Sequence, residues 1–409
     1  LAAAAAAGGG PEAAFASGPG RVAVPLVSRR VPRESCEVHS VKCSESEELF
    51  GLARRNSSGA LSLATDPGLR AVPLLDIGNT QYRAVVGLGK PLKTAEVLID
   101  TGSSDLWVLD RVARVESSPS VFTVGSPVTI NYGQGSVTGS VFSDEVAIGS
   151  VVLKDQHFLV PSASVGMASI QADGVLGLAL PALSHTGATI LQNLYREAKI
   201  STFCLLLTDT TWGSYLVLGE PDKEWYVGDI VWTPLVSDTW WGLEASLQLN
   251  GEVIHEGPWL LDSGTSYLML PKKVFGPMMT AIFPQGSLTH CSFVQASNTL
   301  ACPCGVRDVA RTVDLRVGNT DFPLKPSDLL VEAGGGWCSL QMVPMDASLP
   351  PILGDTFLRT VLAVFDVERG RMGLAKRTGK SPSVKPPELP AQPAMWQPWL
   401  LAAASVFAL

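Results

Sequence analysis

The sequence predicts an all-β protein built as two similar β-rich lobes with a cleft between them, and three observations carry that expectation. In a chain of 409 residues, 46% apolar, 39 glycines and 29 prolines punctuate Val-, Leu- and Thr-rich stretches of strand length, while amphipathic helical runs are few. Two acidic loops, Leu98-Ile99-Asp100-Thr101-Gly102-Ser103-Ser104 and Leu260-Leu261-Asp262-Ser263-Gly264-Thr265-Ser266, each leave an apolar strand, 162 positions apart. A second motif follows each loop. Asp173-Gly174-Val175-Leu176-Gly177-Leu178 lies 75 residues after the first Asp, counted to Val175, and Pro351-Ile352-Leu353-Gly354-Asp355 lies 90 after the second, counted to Ile352. The same parts in the same order are what duplication of one lobe leaves, and the length suits two domains better than one.

Along the chain, residues 1–73 read as a leader and prosegment. They open on an Ala run followed by glycines, either the remnant of a signal peptide or plain low complexity. They continue without periodicity through Arg29-Arg30, Arg33, Arg54-Arg55 and the glycosylation sequon Asn56-Ser57-Ser58. Residues 74–230 are assigned to the first lobe. Its expected strands are Tyr82–Gly89 and Glu96–Ile99 around a Gly-Lys-Pro turn, then Ser136–Ser140, Glu145–Ile148 and Gly213–Leu218. Residues 231–378 form the second lobe, with strands expected at Ala245–Leu249, Thr312–Val317 and Val361–Val367. One helix per lobe, Thr189–Ala198 and Lys272–Ile282, is apolar at helical spacing. Residues 379–409 are a Pro-rich linker and a short apolar tail, below the roughly 20 residues of a spanning helix. A polar spacer before such a tail fits a lipid-anchor signal with Ser381 or Ser383 as attachment point; the alternative is a surface-packed or disordered tail.

Charge narrows the partners. The formal net charge is −8, and residues 71–378 hold 20 Lys and Arg against 30 Asp and Glu, a net of −10. An acidic body argues against nucleic acid, whose phosphates demand concentrated cations. Of the seven cysteines, Cys291, Cys302, Cys304 and Cys338 can form two disulfides in any of three pairings, and Cys36 with Cys43 can close a small loop. Cys204, inside an apolar run, reads as a buried free thiol. This usage fits an oxidising, secretory compartment. No metal site and no cofactor are expected: His39, His157, His185, His255 and His290 are scattered without ligand spacing.

The chemistry lies in the acidic loops. A glycine two residues after each Asp permits a tight turn, so backbone amides and the hydroxyls of Ser103 and Thr265 can hold each carboxylate. Two carboxylates brought within hydrogen-bonding distance cannot both ionise cheaply and share one proton. The ionised one can deprotonate water while the other protonates a carbonyl oxygen, which hydrolyses an amide with neither metal nor covalent intermediate.

These residues carry a specific resemblance. Asp100-Thr101-Gly102-Ser103-Ser104-Asp105-Leu106-Trp107-Val108 and Asp262-Ser263-Gly264-Thr265-Ser266 resemble the two active-site signatures of the pepsin-like aspartic proteases. Ile130-Asn131-Tyr132-Gly133-Gln134-Gly135-Ser136 resembles that family's flap, and the segments 173–178 and 352–359 resemble those packed under each loop. The match runs from about Tyr82 to Ala375. The resemblance implies Asp100 and Asp262 as the catalytic pair, Tyr132 as the flap tyrosine and Trp107 as the indole bonded to it. It further implies that the carbonyls of Gly102 and Gly264, the flap tip at Gln134 and the hydroxyls of Thr265 and Ser266 bind an extended peptide or protein substrate. Three features depart from the pattern. No cysteine pair follows the first loop, Gln134 stands where Asp, Gly or Thr is common, and Ser263 replaces a more familiar Thr. Met167 falls where an apolar substrate wall would be. The implied protein is an acid-active monomeric endopeptidase, secreted or in an acidic vesicle or vacuole. It would be made as a zymogen whose Arg54 or Arg55 contacts the pair until cleavage between Arg55 and Leu74. The alternative is a binding protein on the same fold without catalysis.

Overall fold

The computed structural model describes residues 70–386, apart from 296, 347, 348 and 385. The Ala run, Arg54-Arg55, the sequon, Cys36, Cys43 and the apolar tail lie outside the described residues.

In the first half, β1 (Ala71–Asp76), β2 (Tyr82–Leu88) and β3 (Lys93–Asp100) pair antiparallel in succession. β4 (Leu106–Val108) is followed by β5 (Phe122–Tyr132), β6 (Gly135–Ile148) and β7 (Val151–Val165), with β6 paired to both neighbours. β8 (Gly174–Gly177) slots between β3 and β4, parallel to the first and antiparallel to the second. β6 is one strand of 14 residues where the sequence reads two. Ser143 and Asp144, the polar pair that looks like a turn, are buried within it, and register shifts against β7 bend the strand and keep it continuous. The helix Ile190–Ala198 starts as its sequence predicts: Thr189 accepts from the amide of Gln192, whose side chain reaches back to the amide of Thr189. β9 (Thr202–Leu206) and β10 (Trp212–Leu218) complete this half.

The second half repeats the arrangement. β11 (Tyr226–Pro234) leads into β12 (Gly242–Leu249), β13 (Glu252–Leu261) and β14 (Leu268–Pro271), and the helix Lys272–Ile282 follows as expected. Next come β15 (Ser292–Val294), β16 (Thr299–Pro303), β17 (Val313–Val317) and β18 (Thr320–Leu324). β19 (Leu330–Gly334), β20 (Trp337–Leu340), β21 (Met342–Met345), β22 (Ile352–Leu353), β23 (Val361–Asp366) and β24 (Arg371–Arg377) close the chain. β22 lies parallel to β13 and antiparallel to β14, as β8 lies between β3 and β4. The small sheet β15-β16-β20-β19 is stapled by Cys291–Cys302 and Cys304–Cys338, which selects one of the three pairings left open by the sequence.

A strip ordered β11-β24-β23-β9-β10-β1 joins the halves with strands from both ends of the body. β9 and β23 are buried along their whole length, so both faces are covered and the apolar runs need no alternation. On them Phe203 and Phe365 stack with centroids 4.5 Å apart, and Trp241 meets each edge-on at 5.7 and 5.0 Å. The indole Nε1 of Trp241 donates to the carbonyl of Leu178 at 2.7 Å, tying this core to the segment under the first acidic loop. Cys204 on β9 is a buried free thiol, as expected.

Candidate active site

Each acidic loop is held the same way. Asp100 ends β3, and its Oδ1 accepts from the amide of Gly102 at 2.8 Å while its Oδ2 accepts from the hydroxyl of Ser103 at 2.5 Å. Asp262 follows β13; the amide of Gly264 donates to its Oδ1 at 2.8 Å and the hydroxyl of Thr265 to its Oδ2 at 2.6 Å. Charge-assisted bonds of this kind fix both carboxyl planes.

The loops are locked to one another by the residue after each Asp. Thr101 donates its amide to the hydroxyl of Ser263 at 3.1 Å and its own hydroxyl to the carbonyl of Leu261 at 3.1 Å. Ser263 answers with its amide to the hydroxyl of Thr101 at 3.0 Å and its hydroxyl to the carbonyl of Ile99 at 2.8 Å. Glycine is required at the crossing because a Cβ on Gly102 would stand 2.6 Å from the Asp262 carboxyl, and one on Gly264 2.4 Å from Oδ1 of Asp100. Each glycine thus lies against the opposite carboxyl group.

Asp100 and Asp262 are almost sealed from solvent, at 1% and 4% exposure, and are hydrogen-bonded to each other. Burial pushes both above the usual carboxylate range. For Asp262 the charge of Asp100 adds to the effect, whereas Ser103, Asp262 and the loop amides draw Asp100 back. The pair therefore retains one proton well above the ordinary carboxylate range. Below it, Asp355 is buried with no hydrogen-bond partner on either carboxyl oxygen among the described residues; burial pushes it well above the usual carboxylate range against the opposing pull of Arg359. Arg359 donates to the carbonyl of Asn79, and Tyr82 and Asp76 complete this inter-half cluster.

The segment expected to be a flap is the β5–β6 hairpin, turning at Gly133 and Gln134. Tyr132 is buried at its base, where its hydroxyl accepts from Nε1 of Trp107 at 2.9 Å and meets the hydroxyl of Ser103. Trp107 thus fixes Tyr132 beside Ser103, whose own hydroxyl donates to Asp100. Around it, Leu98, Ile130 and Met167 pack into one apolar cluster. At the tip, Oε1 of Gln134 accepts from the hydroxyl of Ser169 at 3.0 Å, whose carbonyl is held by Nε2 of Gln81 at 2.8 Å.

The structure thus brings together Asp100, Asp262, Ser103, Thr265, Gly102, Gly264, Tyr132 and Trp107, with Gln134 at the flap tip. Ser266 is placed differently: its buried hydroxyl donates to the carbonyl of Thr80 at 2.7 Å, as the hydroxyl of Ser104 donates to Leu180 at 2.6 Å. The cross-loop partnership of Thr101 with Ser263 goes beyond the sequence reading, although a hydroxyl residue after each Asp was its signal. The partnering of Gln134 with Ser169 had no sequence signal.

A family model described as eukaryotic aspartyl protease matches residues 81–377. Pepsin A of Bos taurus is 28% identical over 380 residues, 87% of this chain and 98% of that protein. Vacuolar protease A of Neurospora crassa is 28% identical, covering 80% of this chain and 87% of its own length. Pregnancy-associated glycoprotein 2 of Bos taurus is 31% identical over 74% of this chain and 84% of its own. The crystal structure of aspartic proteinase from Irpex lacteus superposes with a TM-score of 0.67 at 22% identity, covering 75% of this chain and 97% of that one. Paired carboxyl loops on a duplicated β scaffold and this family match lead to one conclusion: the chain belongs to the eukaryotic aspartyl proteases and is a pepsin-like aspartic-type endopeptidase.

Proposed function

We propose that Asp100 and Asp262 are the catalytic pair of an acid-active endopeptidase made as a zymogen. The observation that carries this reading is the buried carboxyl pair cradled alike by both loops. With one proton on the pair, the ionised carboxylate takes a proton from a water molecule as the water oxygen attacks the peptide carbonyl carbon. The protonated carboxyl gives its proton to the carbonyl oxygen, forming a gem-diol. Transfer of a diol proton back through the pair to the amide nitrogen breaks the C–N bond and returns the pair to its starting state. The carbonyls of Gly102 and Gly264 and the flap at Tyr132 and Gln134 would hold an extended substrate chiefly through its backbone, and Met167 would favour apolar side chains. Activity requires one proton on the pair, so it rises to a maximum in acid and falls when both carboxyls are ionised.

The leader would lie over the cleft with Arg54 or Arg55 against the ionised pair, and acidification would weaken that contact by protonating carboxylates. Release followed by cleavage between Arg55 and Leu74 gives the mature enzyme, a monomer of the secretory pathway or an acidic vacuole. Anchoring through Ser381 or Ser383 is the further expectation for the tail. The test is hydrolysis of a quenched apolar peptide library from pH 3 to 7 after acid incubation, beside Asp100→Asn and Asp262→Asn. Acid-peaked activity that drops by about 10³-fold or more in each variant supports the assignment. An inactive wild type, folded and with its leader removed, would favour the binding-protein alternative instead.

A further inference from the structure

A cavity of about 640 Å³ opens between the two halves, with Asn79, Thr208 and Asp209 on one side and the β17–β18 hairpin and the segments 307–331 and 356–361 on the other. Its charge is opposite to that of the body. Arg307, Lys325, Arg359, Lys376 and Arg377 line it against two carboxylates, Asp209 and Asp328, a local excess of three positive charges in a body of net −10. Among the described residues none of these five cations has an ion-pair partner within 4.0 Å. The guanidinium groups of Arg307, Arg359 and Arg377 are turned onto the carbonyls of Leu330, Asn79 and Arg359, and Arg359 also faces Tyr82, Asp76 and Asp355. Lys325 and Lys376 are exposed, and Phe322, Pro323 and Val331 add apolar wall. The cavity therefore suits a partner with several carboxylates next to large apolar side chains.

The chain itself carries one such segment outside the described residues. Glu45-Ser46-Glu47-Glu48-Leu49-Phe50 holds three of the seven acidic residues of positions 1–70 within four positions, followed directly by two apolar side chains. Twenty-two peptide steps lead from Glu48 to Arg70. Extended, they reach roughly 75 Å, whereas a body of this size is roughly 50 Å across, so length is no obstacle. We propose that this cavity is the docking site of the leader segment Glu45–Phe50 in the intact chain. It would anchor the leader to both halves at a face lined by basic groups, separately from any contact of Arg54 or Arg55 with the carboxyl pair. This docking does not require the leader to be inhibitory, and it would place opposite charges of the leader at two sites of opposite sign.

The test is zero-length carbodiimide cross-linking of the full chain, followed by peptide mapping of the monomer band. The ion pairs Lys90–Glu145 and Lys272–Asp346, each at 2.6 Å, serve as internal controls that must be recovered. The expected result joins Glu45, Glu47 or Glu48 to Lys325 or Lys376. Combined Lys325→Glu and Lys376→Glu, both at exposed positions, remove the two amines and should abolish these cross-links. Adding Glu45→Lys, Glu47→Lys and Glu48→Lys should restore them. Recovery of both controls with the leader glutamates joined to other lysines, to none, or only in a dimer band overturns the proposal. So does failure of the combined reversal to restore the cross-link.

Discussion

At the scale of single residues, the two aspartates were legible because the sequence repeats them in the same apolar setting. The residues beside them were not, since Thr or Ser after an Asp reads equally well as a turn former whose partner is local. The structure instead sends Thr101 and Ser263 across 162 positions to each other, where both are buried. Ser263 has the clearer test because its hydroxyl both accepts from the amide of Thr101 and donates to the carbonyl of Ile99. Ser263→Ala leaves a buried donor and a buried acceptor unmet, a loss of about 1–3 kcal/mol. We expect that loss in the urea midpoint, together with a fall in kcat, because the latch sets the distance between the carboxyl groups. Ser263→Thr keeps the hydroxyl at the cost of one methyl in a buried site, and should lose less stability than Ser263→Ala. Equal stability of all three proteins would show that the latch carries no load.

Among elements, legibility followed locality. The helix Ile190–Ala198 announced itself through Thr189 and Gln192, a capping pair contained in four residues. The 14-residue β6 did not, because its buried Ser143 and Asp144 imitate a turn and only its partner β7 shows that pairing continues. The flap built on this strand has two points of control. At its base, Trp107→Phe removes the indole donor to the buried Tyr132 and leaves a smaller ring in the cluster, and should lower kcat/KM about 5- to 10-fold together with a fall in melting temperature. At its tip, Gly166 lies at φ +72° with the carbonyl of Gln134 2.1 Å from where a Cβ would be. Gly166→Ala must displace the tip from β7, and the expected outcome is a raised KM for peptide substrates with kcat less affected. Were kcat alone to fall, the tip would be acting on the chemistry instead of on binding.

For the molecule as a whole, the joining strip could not be read from sequence, because β1, β9 and β23 are mutually distant strands whose apolar runs name no partner. The body also buries a set of acids, Asp76 on β1, Asp100 and Asp262 on the paired loops and Asp355 after β22, and these dictate how stability depends on pH. Burial raises Asp76 from 3.8 to about 6, Asp262 and Asp355 well above the ordinary value, and Asp100 in the same direction. For Asp76, Asp355 and the one proton shared by Asp100 and Asp262, the folded state keeps a proton that the unfolded chain has already lost, so stability is full below about pH 4 and declines as pH rises toward the folded pKa. Two groups oppose this. Asp105, lowered by bonds from His185, Ser184 and Thr186, and Asp366, lowered by Arg371 and Arg369, contribute above pH 3.8 and lose that contribution as pH falls through their depressed values. His185, raised by Asp105, contributes below 6.5 and is lost as pH rises through its raised value, adding to the decline toward neutrality. The expected curve of melting temperature against pH at fixed ionic strength therefore peaks near pH 4–5 and falls by pH 7. Asp76→Asn isolates one component: it keeps an oxygen for the amide of Asn79 but cannot ionise, so the slope between about pH 4 and 6 should flatten by up to about 3 kcal/mol. A parent protein that gains stability from pH 4 to 7, or a variant whose slope matches the parent's, would contradict the buried-acid account of this fold.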